Sequence, residues 1–165
     1  MGQLDVRIVD LPPVRVAVAH GSGEHPEGQA WRAIMAFAKS HGLVAELKSH
    51  RFFGFNNPEP SPDSPGYGYD QCMTIQTSPT AEDQVKIIDL SGGRYAVTRC
   101  RGAGNLGTVW KQLAAWQQRN HYDAGPCQCL EEVLNPEAFV TTEGGPSPDD
   151  AWDKVLFDLY LPLAE

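Results

Sequence analysis

Basic residues are scarce in this sequence, and their scarcity argues against a broad class of functions. Of 165 residues, 13 are Lys or Arg and 21 are Asp or Glu, so the net charge is −8 with His neutral. Non-specific binding to nucleic acids depends on basic side chains that displace counterions from phosphate. Attraction to anionic membrane surfaces depends on the same charge. We therefore expect neither direct nucleic-acid binding nor membrane association.

Long apolar runs and paired cysteines are also lacking. No stretch approaches the roughly 18 uncharged apolar residues of a transmembrane helix. Charged residues, among them Asp5 and Arg15, interrupt the N-terminal region where a secretory segment would be apolar. The four cysteines are Cys72, Cys100, Cys127 and Cys129. They do not form the CxxC pairs of a zinc site or the density of a disulfide scaffold, so we expect free thiols and a cytoplasmic location.

Motifs for cofactors and for DNA recognition are missing as well. The glycine-rich loops Gly21–Gly23 and Gly102–Gly104 resemble neither a phosphate-binding loop nor a dinucleotide fingerprint. His20, Glu24 and His25 lie close together, but polar loops commonly carry such residues without a metal. We expect no metal and no cofactor. The sequence has no helix-turn-helix pattern, and predicted strands begin so near the N-terminus that we expect no DNA-reading module ahead of them.

The sequence repeats itself at an offset of 79 residues. The matching pairs include Leu11 and Leu90, Arg15 and Arg94, Ala17 and Ala96, Val18 and Val97, Gly23 and Gly102, and Trp31 and Trp110. A chance match of two tryptophans is improbable in a chain that holds only four. Internal repeats define the architecture of a chain. The pattern predicts a single domain over 1–165, made of two pseudo-symmetric halves, 1–80 and 81–165.

Each half follows the order strand, helix, strand, strand. Val14–Ala19 and Arg94–Cys100 are β-branched and partly alternating, and we expect short extensions of them at Val6–Ile8 and Ile87–Ile88. An amphipathic helix follows each strand. The helices should bury Trp31, Ile34, Phe37, Trp110, Leu113 and Trp116. The remaining predicted strands are Val44–Phe55, Tyr69–Thr77, Cys127–Leu134 and Val155–Leu163, with proline-containing loops at 56–65 and 141–150. This order predicts an α+β fold, a tandem β-α-β-β whose antiparallel sheet carries two helices on one face and leaves the other face open to solvent or ligand.

A family resemblance emerges from the order of several short segments. They are Leu11–Pro13, Asn57-Pro58, Tyr69–Cys72, Gly92–Val97, Trp110 with Leu113 and Trp116, and Glu131 within Cys129–Asn135. Over nearly the whole chain this pattern resembles the GyrI-like small-molecule-binding domain, also described as the effector-binding domain of AraC- and MerR-type regulators. The resemblance implies a tandem β-α-β-β fold with a ligand groove between its halves.

The resemblance implies a glutamate at the centre of an aromatic groove, and this chain departs from the pattern at two neighbouring positions. Val133 stands where an aromatic residue is usual, and Glu132 stands where an apolar residue is usual. Either Glu131 or Glu132 could therefore face the groove. Glu131 keeps the family spacing to Leu134 and is the favoured residue.

The predicted groove suits a lipophilic cation. A half-buried carboxylate is poorly solvated, so an organic cation is stabilised beside it, and aromatic faces add attraction. Strand alternation places Cys129 and Val133 on the face of Glu131. The repeat makes Phe53 and Phe55 the expected opposite wall. Further candidate ligand contacts are Tyr69, Tyr95, Trp110 and Tyr160.

Three functions remain open at this point. The first is a stand-alone binding protein for small organic molecules, often cationic, of the multidrug-binding type. The second, implied by hydrolase relatives in the family, is hydrolysis of strained electrophiles such as cyclopropanes, with Glu131 as the base. The third is a protein-interaction module, either a gyrase inhibitor or the effector arm of a regulator, and a homodimer is possible.

Overall fold

The computed structural model describes residues 4–57, 67–76, 85–139 and 152–165, which form one antiparallel sheet and two α-helices. The predicted loop 141–150 lies outside these residues, as does most of the predicted loop 56–65. The strands are β1 Val6–Leu11, β2 Val14–Gly23, β3 Phe52–Asn56, β4 Tyr67–Thr74, β5 Val85–Leu90, β6 Gly93–Arg101, β7 Leu130–Val133 and β8 Leu156–Pro162. The helices are α1 Pro26–Ser40 and α2 Leu106–Arg119. The predicted antiparallel α+β fold is confirmed.

The strands lie in the order β1-β6-β8-β7-β3-β4-β2-β5. Each of the two outermost strands pairs with a strand of the other half of the chain. Val6 of β1 lies opposite Thr98 of β6, and Val85 of β5 lies opposite Ala19 of β2. The counterparts in the two halves are β1 and β5, β2 and β6, β3 and β7, and β4 and β8. Replacing every strand by its counterpart gives the same strand order, listed from the other edge of the sheet. The pair β7–β3 therefore lies at the centre of a topologically symmetric sheet.

The strands β1 and β5 are separate from the strands that follow them, so the predicted continuous extensions at Val6–Ile8 and Ile87–Ile88 are wrong. Pro12 and Pro13 separate β1 from β2, because proline fixes its φ angle and has no N–H for the sheet. Gly92 separates β5 from β6 with φ at +73°, a conformation that favours glycine. Each half of the chain consequently reads strand, strand, helix, strand, strand.

Two of the predicted strands are too long. The range Val44–Phe55 contains a 3₁₀ segment at Val44–Ser49 before β3 begins, because its Ala, Glu, Leu and Lys are better helix than strand formers. Leu47 of this segment is buried in the core. The range Cys127–Leu134 contains only the short strand β7.

The two faces of the sheet carry separate apolar clusters. Both helices pack on one face, where the largest buried side chains are Trp31, Phe37, Phe52, Met73, Leu113 and Phe157. The opposite face buries Leu11, Val16, Phe53, Cys72, Tyr95, Val97 and Tyr160. The prediction of an open second face is wrong. Leu11 of the first edge strand belongs to this cluster and Leu90 of the last packs against it, so the cluster extends across the sheet to both edges.

The two helices are buried to different extents. Helix α1 buries six residues, among them Trp31, whereas Leu113 is the one residue of α2 that is buried. Trp110 and Trp116 are half-buried and pack against the core cluster, so both are less deeply buried than Trp31. Trp116 stacks on Tyr122, with ring centroids 5.3 Å apart. Neither described helix is long and apolar enough to cross a membrane.

Candidate functional site

Glu131 lies at the centre of the helix face of the sheet. It belongs to β7, and its Cα partner on β3 is Gly54. Helix α1 packs against β2 and β4, while α2 packs against β6 and β8. The two central strands therefore lie between the helices. We call the region above β3 and β7, bounded by α1 and α2, the interhelical gap.

Tyr69 reaches Glu131 from the far side of β3. Its hydroxyl donates a hydrogen bond to Glu131 Oε1 at 3.0 Å. The phenol crosses directly over Gly54, where a Cβ atom would lie 2.0 Å from the Tyr69 hydroxyl oxygen. Any side chain on Gly54 would occupy the path, so the contact between β4 and β7 depends on this glycine.

Trp110 approaches the same carboxylate from α2. Its indole Nε1–H donates to Glu131 Oε2 at 3.1 Å, so each carboxylate oxygen accepts one aromatic donor. Indole is a donor only, and a buried or half-buried Trp N–H usually finds an acceptor. The two bonds fix the orientation of a half-buried carboxylate at the base of the interhelical gap.

A second pair of the same kind joins β4 to α1. The hydroxyl of Tyr67 donates to the carboxylate of Glu27. Burial, followed by Glu27 and Glu131, raises the pKa of Tyr67 to about 12. Burial and the Glu131 carboxylate raise the pKa of Tyr69 well above its ordinary value. Both phenols therefore stay protonated at neutral pH and remain hydrogen-bond donors beside the two glutamates.

Glu132 faces the other side of the sheet and belongs to a structural network. It is buried and accepts two hydrogen bonds from Arg51, at 2.8 and 2.9 Å, and one from Tyr160 at 2.7 Å. Because side chains alternate along a strand, Glu131 then points toward the helices. The structure separates the two glutamates that the sequence left as alternatives.

The aromatic residues predicted to face Glu131 divide between the two faces. Strand pairing places Gly54, and not Phe53 or Phe55, opposite Glu131. Phe53, Phe55, Tyr95 and Tyr160 lie in or against the cluster on the opposite face. The prediction that Phe53 and Phe55 form the opposite wall is wrong, because the strands pair one residue out of the expected register.

Three other predicted residues are placed as follows. Trp110 lies beside Glu131, as described. Val133 shares the face of Glu131 but is buried opposite Phe52, within the core. Cys129 is half-buried and immediately precedes β7. Sequence reasoning missed Glu27 and Tyr67, which are 40 residues apart and lie on elements whose packing has no local signal.

The glycine loop considered for a metal has a different arrangement. His20 Nδ1 lies 2.6 Å from Asp70 Oδ1. Among residues 4–57, 67–76, 85–139 and 152–165, no group of three or more His, Cys, Asp or Glu side chains could hold a metal ion. Cys72, Cys100 and Cys127 carry free thiols, and Cys72 and Cys100 are buried.

These features define a small α+β domain with a carboxylate held between aromatic donors under two helices. A family model described as the GyrI-like small molecule binding domain matches residues 4–143. The chain belongs to the GyrI-like small-molecule-binding domain family.

Two solved structures of EcmrR share the fold. The EcmrR C-terminal domain superposes with a TM-score of 0.66 at 9% identity, covering 98% of each chain. EcmrR in a complex with DNA gives a TM-score of 0.68 at 10% identity, covering 99% of this chain. This chain spans 58% of the length of EcmrR in that complex.

Two further solved structures show the same fold with different descriptions. SAV2435 bound to tetraphenylphosphonium has a TM-score of 0.50 at 12% identity, covering 98% of this chain and 94% of its own. A hydrolase from Listeria innocua has a TM-score of 0.60 at 10% identity, covering 99% of this chain and 94% of its own. At such identities the similarity establishes the fold.

Proposed function

We propose that this protein binds bulky lipophilic organic cations in the interhelical gap, with Glu131 supplying the opposing charge. The observation that carries the proposal is the half-buried Glu131 carboxylate, held by Tyr69 and Trp110 at the centre of the sheet. A carboxylate in this position has lost part of its hydration. It therefore attracts a poorly hydrated cation more strongly than a water-exposed carboxylate would.

The surroundings of Glu131 favour the same class of ligand. Tyr69 and Trp110 donate hydrogen bonds to Glu131, and Tyr67 donates one to Glu27. Their aromatic rings therefore lie close to a cation bound beside these carboxylates. A cation over an aromatic face gains roughly 0.5–2 kcal/mol. Glu27 adds a second negative charge on the α1 side. An aromatic, negatively charged gap selects for a cation with an apolar periphery.

The comparisons support this proposal through the family description and through one ligand. SAV2435, which shares the fold, is bound to tetraphenylphosphonium, a lipophilic cation. The proposal also takes the two predicted halves as equivalent copies, with the gap as the ligand groove between them. The symmetric strand order is consistent with this arrangement.

Replacing the central carboxylate tests the proposal. Glu131→Gln keeps the shape and removes the charge, so it should weaken tetraphenylphosphonium binding by about 1–3 kcal/mol, the usual range for a hydrogen bond to a charged group or an unsatisfied partner. Binding of triphenylphosphine oxide, which is neutral and shares three of the four phenyl groups on phosphorus, should change little. Isothermal titration calorimetry of both ligands measures the difference.

The matched control is Glu46→Gln, because Glu46 is exposed on the 3₁₀ segment. Glu132→Gln is unsuitable as a control, since it breaks the buried pair with Arg51 and should destabilise the fold. Equal loss of both ligands in Glu131→Gln would show that the gap works by shape alone. An equal loss of the phosphonium in Glu46→Gln would show that the overall charge, and not Glu131, attracts the cation.

A second candidate function is hydrolysis of a strained electrophile, and the Tyr69–Glu131 contact favours it. Glu131 would accept a proton from water as the water oxygen bonds to a cyclopropane carbon. The ring C–C bond would break, and the proton would return to the carbon that carries the electron pair. The fold shared with a described hydrolase is consistent with this chemistry.

Turnover distinguishes the two functions. With an electron-poor cyclopropane, the hydrolase should give a ring-opened alcohol, detected by mass spectrometry with one oxygen from labelled water. Glu131→Gln should abolish the product and Tyr69→Phe should reduce it. Absence of any product from the unaltered protein would eliminate this candidate.

We also propose a cytoplasmic location and leave room for a protein partner. A protein partner, gyrase or a regulator included, would add to small-molecule binding without replacing it, as would a homodimer. The free thiols of Cys72, Cys100 and Cys127 fit the predicted cytoplasmic location.

A further inference from the structure

A cavity of about 710 Å³ lies apart from Glu131, against the outer side of α1 and the end of β5. Val85 of β5 pairs with Ala19, and β2 then continues to Gly23 alongside β4. The cavity lies where β2 extends beyond the first residue of β5 and its outer edge has no described partner strand. Its volume is within the range of small-molecule sites, about 300–1,000 Å³. None of the residues that hold Glu131 lines it.

A histidine held by a buried carboxylate forms one wall. His20 and Asp70 are paired across β2 and β4, with His20 Nδ1 2.6 Å from Asp70 Oδ1. Asp70 is 9% exposed, and its second oxygen accepts a hydrogen bond from Asn57 Nδ2 at 2.9 Å. An ionised carboxylate only accepts, so Nδ1 carries the proton. The imidazole also lies over Gly68, where a Cβ would be 2.6 Å from His20 Cε1.

Among the described residues that line the cavity, the other charged residues are cationic. Arg32 of α1 and Lys86 of β5 line it, and both residues are exposed. Among the described residues, none forms an ion pair with either of them. The single carboxylate of the lining, Asp70, is already engaged by His20 and Asn57. The lining that the structure describes therefore carries more positive than negative charge, in a chain whose net charge is −8.

The rest of the lining includes small apolar side chains. Val18 lies directly opposite Lys86 on the neighbouring strand, so both face the same way. Ala33 and Ala36 line the α1 side near Arg32. Short side chains on the helix leave the volume open, and they provide an apolar surface next to the two cations.

We propose that this cavity is a second ligand site, for a small organic anion with an apolar body and a carboxylate. Arg32 and Lys86 bind the carboxylate, with the guanidinium able to make a two-pronged contact. The apolar body rests on Ala33 and Ala36 of α1. His20, fixed by Asp70, presents its Nε2 edge to the ligand. This site stands independently of the cation site at Glu131, and it selects the opposite charge.

Benzoate is a suitable probe, with benzyl alcohol as the neutral analogue. Titration at constant ionic strength, followed by the NMR shift of the His20 ring protons, should show saturable binding with a dissociation constant on the order of 1 mM for so small a ligand. Benzyl alcohol should bind more weakly. Inorganic phosphate should also bind more weakly than benzoate, because it lacks the apolar body.

Charge variants locate the site. Arg32→Gln and Lys86→Gln should each weaken benzoate about two- to five-fold, the size expected for exposed charged pairs, and the double variant should weaken it more than either single variant. Lys39→Gln, on the exposed end of the same helix, is the matched control and should have no effect. Glu131→Gln should leave benzoate binding unchanged even if the cation proposal fails.

Three results would overturn the proposal. One is the lack of a saturable shift at His20 with benzoate. Another is an equal loss in Lys39→Gln, which would indicate a diffuse charge effect. The third is binding of another probe as tightly as benzoate. Equal binding of phosphate would show that the apolar body is not recognised, and equal binding of benzyl alcohol would show that the carboxylate is not recognised.

Discussion

At the scale of single residues, the geometry around Glu131 depends on a position that has no side chain. Gly54 lies between Tyr69 and Glu131 on the middle strand of three. The phenol passes over it to make its 3.0 Å hydrogen bond. A glycine inside a strand weakens the strand but permits close approach, and here the approaching group is the Tyr69 hydroxyl that donates to Glu131.

Substituting Gly54 should therefore damage both stability and binding. Gly54→Ala places a Cβ 2.0 Å from the Tyr69 oxygen, so the ring must move away from Glu131. Overpacking of this kind costs about 1–3 kcal/mol. Urea unfolding should show that loss, and calorimetry should show weaker tetraphenylphosphonium binding. Gly107→Ala, which meets nothing within 4 Å, should retain both properties; an equal decrease there would refute the argument.

The sequence predicted Glu131 itself better than it predicted the side chains that surround Glu131 in the folded structure. Glu131 is favoured because it keeps the family spacing to Leu134, and the alternation of side chains along β7 then separates it from Glu132. The opposite wall depended on which residue of β3 lies across from β7. A shift of one residue exchanges Phe53 for Gly54 and reverses the face, and nothing local in the sequence fixes that register. The Tyr67–Glu27 contact depends on the packing of α1 over β4.

At the scale of elements, the two helices have similar sequence patterns but are buried to different extents. The repeat aligns Trp31 with Trp110, and an amphipathic pattern predicts both as core residues. Trp31 is 1% exposed and stacks on Phe52 at 5.5 Å. Trp110 is half-buried and donates to Glu131. Periodicity predicts that a helix has an apolar face, but the distance from that helix to the sheet is a tertiary property.

Alanine at the two positions should separate stability from binding. Trp31→Ala removes a fully buried ring and should lower the free energy of unfolding by about 3–5 kcal/mol. Trp110→Ala should cost less stability, because the ring is half-buried, yet it should weaken tetraphenylphosphonium more than any loss of stability explains. Urea unfolding and calorimetry on both variants test this. A larger loss of stability for Trp110→Ala would place that ring in the core.

At the scale of the whole molecule, tyrosines from both faces of the sheet share one electrostatic property. Burial is the first cause that raises the pKa values of Tyr67, Tyr69, Tyr95 and Tyr160 above the ordinary value. The neutral phenols are therefore favoured by folding. Their contribution to stability is fully present below the unfolded-state pKa of about 10 and is lost as the pH rises through the folded-state values.

The free energy of unfolding should accordingly decrease from pH 10 to pH 12. Tyr67 contributes within this window, since its folded pKa is about 12. Tyr67→Phe removes that contribution, so the variant should lose less stability over the same range. Urea unfolding at several pH values measures both slopes. Identical slopes in the two proteins would show that Tyr67 titrates normally in the folded state.

The exchange of outer strands between the halves has a consequence for biosynthesis. While the ribosome is still making the second half, β1 has no partner, because its partner β6 begins only at Gly93. The outer edge of β2 likewise stays unpaired until β5 is made. Such contacts between distant segments carry a large loop-closure cost and make folding slow. The nascent chain therefore exposes two strand edges until synthesis is well past its midpoint, which is when a chaperone would be of most use to it.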